Sequence, residues 1–317
     1  MTRRRTRGRP VDGVLLLDKP RGITSQTAVS RVKALFGAAK AGHTGTLDPL
    51  ADGLLPVCLG EATKFAQGLL DADKGYRAVV RLGLRTATGD LEGAVLAQGE
   101  PAVSREAAVS ALERFRGDIL QVPPMYSALK RGGKALYEYA RASQELPREP
   151  RAVHISRLAL EAMALPDLTI SVTCSKGTYI RVLAEDLGQV LGCGACLASL
   201  TRTAVGTLGL EQAVALDALE DVPPEARVGR LLPVDTLVLA LPRVDLPESE
   251  AACVRAGRPA FSAGLPDGAL GRAYGPDGRF MGLVAGDGRG RIVPRRLISS
   301  EAMPTGAGGV AENGGNA

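Results

Sequence analysis

The stretch "GHTGTLDPLADGLL", residues 42–55, decides how the rest of the chain is read. It carries His43, one of only two histidines in the protein, and Asp48 close behind it. Glycine, threonine and proline surround them, not the periodic apolar residues of a helix or strand. Gly42 and Gly45 admit backbone angles closed to other residues and leave room for a ligand. Pro49 stiffens the chain and biases Asp48 toward an extended conformation. Such a loop holds one carboxylate still. It is not a P-loop, because the G-x-x-x-x-G-K-[ST] spacing is absent, and it lacks the H-E-x-x-H spacing of a zinc helix. On residue types alone two readings stand open. Asp48 caps a turn beside a satisfied loop histidine, or the loop presents a carboxylate for chemistry.

The totals narrow the class. At 317 residues the chain has room for two domains and a sizeable core. Hydrophobic residues make up 45% and charged residues 23%, an ordinary globular balance. No apolar run approaches the ~20 residues of a membrane-spanning helix. The basic start "MTRRRTRGRP" precedes an apolar run too short and too soon charged for a secretory signal, so the cytoplasm is the expected location. The formal net charge of +5 is matched by Arg3, Arg4, Arg5, Arg7 and Arg9 alone. The body is thus formally neutral, and any case for nucleic acid rests on local patches. Five cysteines, an odd number in a long chain, do not read as a disulfide framework. Cys193 and Cys196 form a lone C-x-x-C without the further ligands zinc needs. They read as two small apolar residues in a turn, and no metal is expected.

Along the chain, "DGVLLLD" (12–18) reads as a buried strand and "SQTAVSRVKALFG" as a helix. Ser25 is its N-cap, Val29, Val32, Leu35 and Phe36 its apolar face, and Gly37 its stop. The 42–55 stretch opens as a loop. "LLPVCLG" (54–60) then predicts a strand, "EATKFAQGLL" (61–70) a helix, "YRAVVRLGL" (76–84) a strand and 104–117 a capped helix. Residues 121–151 stand apart, with six basic residues against three acidic ones and three of the six tyrosines. They predict an insertion arching out of the fold, with a short helix near 134–142. Two paired strands follow, then a helix over 178–192 begun by Thr178. A Pro- and carboxylate-rich stretch at 241–250 marks a domain boundary. Beyond it, P-D-G and D-G turns predict a small β-rich domain. Residues 251–298 hold eight arginines against three aspartates, a local balance of +5 (8 − 3). Periodicity alone reaches "mixed α and β, two domains".

Longer segments carry a family likeness. "GHTGTLDPLADGLLPVCLGEATK" resembles, almost letter for letter, the signature of the tRNA pseudouridine synthase B family. "LLLDKPRGITS" resembles that family's Lys-Pro-x-Gly motif at Lys19, Pro20 and Gly22. "KGYRAVVRLGLRTATGDLEG" is similar to the segment that supplies a site tyrosine, here Tyr76. "CSKGTYIRVLAEDLG" is similar to its second basic segment, here with Tyr179 and Arg181. The segments stand in family order, and the resemblance covers about residues 10–300.

The resemblance implies an α+β fold with a central mixed, mostly antiparallel sheet, flanking helices and a small C-terminal β-rich PUA-like domain. It implies a basic disordered tail at 1–10 and a catalytic domain over 11–240 with an RNA-gripping thumb at 121–151. A PUA-like RNA-binding domain is expected at 247–300 and a disordered tail at 303–317. The implied reaction isomerises uridine to pseudouridine in the T-loop of tRNA, at position 55, with no metal, cofactor or protein partner, by a monomer. The resemblance makes Asp48 the nucleophile and Arg181 its cationic partner. It places Tyr76 against the target uracil, Tyr179 in the pocket lining and Leu200 as an apolar wall. His43 becomes a wedge that fills the space left by an everted base, not a general base. Lys64 and Lys19 are phosphate contacts or members of structural ion pairs. Two alternatives compete: an RNA-binding or tRNA-folding module, and a guide-RNA-dependent pseudouridine synthase of a ribonucleoprotein. The basic insertion at 121–151 favours a stand-alone enzyme.

Overall fold

The computed structural model describes residues 8–262 and 264–299. The expected tails over 1–7 and 303–317 lie outside the described residues. Residues 8–10 do not form part of a loose tail. Arg9 exchanges backbone hydrogen bonds with Gly37 and Ala39, and its guanidinium donates to Phe36 O at 3.1 Å. The cation thereby satisfies a free carbonyl at a helix C-terminus.

The chain opens with β1 (Gly13–Lys19) and α1 (Ser25–Phe36). β2 (Ala41–His43), β3 (Ala51–Leu59), the single helical turn α2 (Gln67–Leu70) and β4 (Lys74–Leu82) follow. The hairpin β5 (Leu84–Thr86) and β6 (Val95–Gln98) leads to α3 (Arg105–Glu113) and β7 (Gly117–Gln121). The insertion holds a small hairpin, β8 (Lys130–Arg131) and β9 (Lys134–Ala135), and α4 (Leu136–Arg141). Then come β10 (Arg151–Ala164), β11 (Asp167–Cys174), α5 (Ile180–Val190) and β12 (Ala195–Val205). β13 (Leu208–Gly209), β14 (Val214–Ala215) and α6 (Leu216–Asp221) complete the large domain.

Ten of these strands form one mixed sheet in the order β14-β1-β3-β12-β4-β11-β10-β7, with β2 beside β3 and β13 beside β12. Only β1–β14 and β3–β12 pair in parallel. β11 shows why the sheet has a wet and a dry side. Leu168, Ile170, Val172 and Cys174 are buried, while Thr169, Ser171 and Thr173 alternate outward. The dry side packs against α1, α3, α5 and α6 in one apolar cluster. Burying Leu183 and Leu187 of α5 there contributes about 1.5–3 kcal/mol each. β1 is buried on both faces, as its unbroken "VLLL" demands. Leu15 and Leu17 face the helices, and Val14 and Leu16 face a second cluster.

That second cluster joins the domains. A separate five-stranded sheet holds β15 (Arg243–Asp245), β16 (Ala260–Phe261), β17 (Leu270–Tyr274), β18 (Phe280–Gly286) and β19 (Arg291–Leu297), beside α7 (Glu248–Arg255). It has its own core around Val244, Val254, Val284 and Ile292. Phe280, Leu283 and Ile298 reach across to Phe65 and Leu69, with the Phe65 and Phe280 rings 5.3 Å apart. Tyr274 donates from its hydroxyl to Asp235 at 2.6 Å across the same seam. Among the described residues no helix is long and apolar enough to cross a membrane.

Several local expectations change. The cap of α1 is Thr24, whose Oγ1 accepts from Thr27 N at 3.0 Å. Ser25 is buried inside the first turn. α5 begins at Ile180 with Tyr179 as N-cap, not at Thr178, whose hydroxyl donates to Ser175 O. The expected helix over 61–70 is a 3₁₀ turn, Gly60–Lys64, and the single turn α2, with Ala62, Phe65 and Leu69 buried in the second cluster. The 42–55 loop is shorter than expected. Gly42 lies in β2 opposite Cys58, with no positive φ, and β3 already begins at Ala51.

Candidate active site

The loop between β2 and β3 is pinned from two sides. On one side stands the segment after β1. Ser25 Oγ accepts from Leu47 N at 2.8 Å and donates to Leu47 O at 3.0 Å. Gly22 N donates to Pro49 O, and Arg21 Nε to Leu50 O at 2.9 Å. On the other side Arg202 of β12 donates to Leu54 O at 2.7 Å and to Gly45 O at 3.2 Å. The Lys-Pro-x-Gly motif thus serves as a latch on the Asp48 loop.

Gly53 permits this closure. Its φ is 97°, and a Cβ there would lie 2.4 Å from Arg202 O, where β3 meets β12. Gly53→Ala is expected to destabilise the protein by about 2–4 kcal/mol through strain and overpacking. Urea unfolding measures this, and a loss below about 1 kcal/mol would remove the close approach as a constraint.

Asp48 meets Arg181, the second residue of α5, with Nη2 and Oδ2 2.8 Å apart. The exposures differ: the Arg181 side chain is 6% exposed and that of Asp48 39%. The carboxylate is therefore held from within while open to an incoming group. Arg181 is held in turn by Thr88 O at 3.1 Å, Tyr126 O at 2.7 Å and the buried Asp90 carboxylate at 3.7 Å. Asp90 is itself fixed by Thr88 Oγ1 at 2.5 Å and Glu92 N at 3.1 Å.

The other candidates lie on β2, β4, β12 and the N-cap of α5. Tyr76 on β4 lies opposite Arg202 of β12. Burial pushes its phenol above the ordinary value, and the Arg202 charge opposes that rise. Tyr179 is raised by burial as well, and Asp48 is near enough that its charge disfavours ionisation of both phenols. Leu200 is buried between Ala51 and Ala78 as part of the core wall. His43 Nδ1 accepts from Gly45 N at 3.2 Å. Burial first, then the Arg202 charge, hold its imidazole below the usual value, so it is neutral at neutral pH.

The two lysines are committed elsewhere. Lys19 is wholly buried and donates to Pro20 O at 2.8 Å and Ile23 O at 2.9 Å. Burial pushes it down to about 8 against the pull of Asp52 and Asp48. Lys64 binds Glu61 at 2.5 Å and Leu297 O at 3.1 Å, and Arg296 donates back to Lys64 O. It clasps the two domains together, so of the two roles expected for it the ion-pair role describes its contacts.

Sequence reading passed over Asp90, Gln121 and Arg202. Gln121 at the foot of the insertion clamps the Tyr179 backbone, accepting from its N at 2.9 Å and donating to its O at 3.3 Å. Arg202 did leave a signal, since a charged residue in "SLTRTAV" shares the inward register of Leu200. Among the described residues no group of three or more His, Cys, Asp and Glu converges as a metal site. Cys193 and Cys196 are unpaired, and burial pushes the Cys196 thiol up to about 11.

Comparison with known proteins meets this geometry. The family model described as "TruB family pseudouridylate synthase (N terminal domain)" matches residues 33–180. "tRNA pseudouridylate synthase B C-terminal domain" matches 181–239, and "Pseudouridine synthase II TruB, C-terminal" matches 242–298. The chain is 55% identical over 300 residues to tRNA pseudouridine synthase B of Burkholderia mallei, covering 93% of this chain and 99% of that protein. It is 54% identical to the protein of the same name from Aromatoleum aromaticum, covering 93% and 95%. Among solved structures, a Cbf5-Nop10-Gar1 complex matches with TM-score 0.67 and 27% identity, covering 93% of this chain and 82% of that chain. An H/ACA RNP bound to a substrate RNA containing 2'-deoxyuridine matches with TM-score 0.71 and 24% identity, covering 96% and 93%, a likeness of fold.

Proposed function

The chain belongs to the TruB family of pseudouridylate synthases, and from that membership and the site geometry we propose that it isomerises a T-loop uridine of tRNA, position 55, by aspartate catalysis. The single observation that carries the assignment of Asp48 is its pairing. A half-open carboxylate sits 2.8 Å from a buried guanidinium. A carboxylate so held can attack and later leave, dividing a difficult step in two. The C1′–N1 bond breaks, the base turns, and C1′–C5 forms. The C5 proton departs and N1 gains one, so no cofactor, metal or redox partner is consumed. Arg181 keeps the carboxylate oriented and balances its charge.

A stacked uridine must leave the RNA to reach Asp48, at a cost of roughly a few kcal/mol. The neutral ring of His43 fits a wedge that occupies the vacated stack. Lys130, Arg131, Lys134, Arg141 and Arg151 are exposed on the thumb, and Arg258, Arg289 and Arg295 on the C-terminal PUA-like domain. Scattered cations of this kind grip a folded RNA through phosphates and shape, not base edges. The enzyme acts in the cytoplasm as a monomer, without guide RNA or protein partner.

The test is tritium release from tRNA labelled at uridine C5, then from a bare T-arm hairpin. Release from both supports the reading. Release only with added guide RNA would transfer the chain to the ribonucleoprotein class. The affinity for tRNA is expected to fall at least about tenfold between about 50 and 200 mM salt. Filter binding across that range checks it, and a flat profile would count against the RNA grip.

A further inference from the structure

Among the described residues Arg202 is the largest side chain that is buried completely, at 1% exposure. Among the described residues no carboxylate pairs with it. Removing a guanidinium from water is costly, and carbonyl dipoles repay only part of that cost. An apolar side chain would fill the same space more cheaply. What the charge touches accounts for its presence. Nε donates to Leu54 O at 2.7 Å, Nη2 to Gly45 O at 3.2 Å and Nη1 to Thr46 O at 3.5 Å. These carbonyls bracket the loop that carries Asp48. On its other side Arg202 stands opposite its register partner Tyr76, and its charge opposes the rise that burial imposes on the phenol. Ladder irregularities at Leu197/Ser199 and Arg202/Ala204 flank the segment. Bulges of this kind re-aim a strand side chain beside an active site.

We propose that Arg202 is a positioning residue, one guanidinium that fixes both the backbone of the Asp48 loop and the phenol of Tyr76. The proposal deepens the function given above and rests on it for the reaction concerned. Two arginines divide the labour. Arg181 holds the carboxylate side chain, and Arg202 holds the backbone beneath it and the aromatic beside it. Arg202 is enclosed by protein and does not touch the substrate. Its charge also disfavours protonation of His43, in keeping with a wedge rather than a proton donor.

The test is Arg202→Lys, which keeps a charge and loses the planar fork. Three readouts are taken: amide hydrogen exchange over residues 44–50, tRNA affinity, and the single-turnover rate of pseudouridine formation. Protection of the loop is expected to fall at least about tenfold, and the rate about 100-fold, as for a small misplacement of reacting groups. Affinity stays within about twofold, because the phosphate contacts are untouched. The rate loss shrinks when Tyr76→Phe is already present, since one of the two held groups is gone. Should R202K fail to fold, Gly45→Ala probes the same contact from the loop side. Its φ is 137° and its Cβ would sit 3.6 Å from Nη1. Unchanged loop protection in a folded variant, or a loss confined to tRNA affinity, would overturn the proposal. If the unaltered protein leaves tRNA uridine unconverted, the functional reading fails, while loop exchange still decides whether Arg202 holds the loop.

Discussion

Asp48→Asn is expected to abolish pseudouridine formation while tRNA still binds. Asparagine has nearly the same shape, so the pins on Leu47, Pro49 and Leu50 remain. Arg181 keeps Thr88 O, Tyr126 O and Asp90 when the carboxylate is gone. The Asp48 side chain is 39% exposed, so its ion pair is screened and contributes about 1 kcal/mol or less to stability. What vanishes is the proposed nucleophile. An amide oxygen cannot form and release a glycosyl ester at a useful rate, and the loss is expected to reach about 10⁴-fold or more. Tritium release from C5-labelled tRNA measures it, with filter binding alongside. Release at the normal rate would take Asp48 out of the mechanism.

Arg181→Met is expected to damage stability and activity together. Arg181 and Asp90 are 6% and 5% exposed in their side chains, so removing the cation strands a buried carboxylate. Breaking such a pair from one side costs about 3–5 kcal/mol. Arg181→Lys separates the two effects. It retains a charge near Asp90 but cannot reach Thr88 O, Tyr126 O and Asp48 from one planar fork. The lysine variant should fold and lose about 10²–10³-fold in single-turnover rate, comparable to the loss of one preorganised site contact. Urea unfolding and rapid-quench assays distinguish these outcomes. A methionine variant as stable as the parent would show that Asp90 does not depend on Arg181.

The same network ties the 121–151 insertion to the Asp48–Arg181 pair. Tyr126 lends its carbonyl to Arg181, and Gln121 grips the backbone of Tyr179 just ahead of it. Both belong to the insertion that sequence reading set apart for its charge. Its composition announced a protruding basic element. Nothing in that composition indicated that its base would complete the setting of Arg181, because those contacts use a backbone carbonyl and a side-chain amide. Neither carries a periodic or compositional signature.

What the amino-acid order determined unaided is local. Alternation in β11, the unbroken apolar run of β1 and the stop at Gly37 were legible because strand and helix periods are properties of neighbouring residues. The Asp48 loop was legible for the same reason, since Gly45 admits a backbone angle closed to other residues and Pro49 fixes its own. The burial of Arg202, the commitment of Lys19 and Lys64 to protein oxygens, and the coupling of Asp90 to Arg181 were settled only in three dimensions. Each depends on which distant carbonyl or carboxylate the fold brings within about 3 Å, the reach of a hydrogen bond. A basic residue in a string of letters shows its charge, and only the packed chain shows whether that charge is left for RNA or already used within the protein.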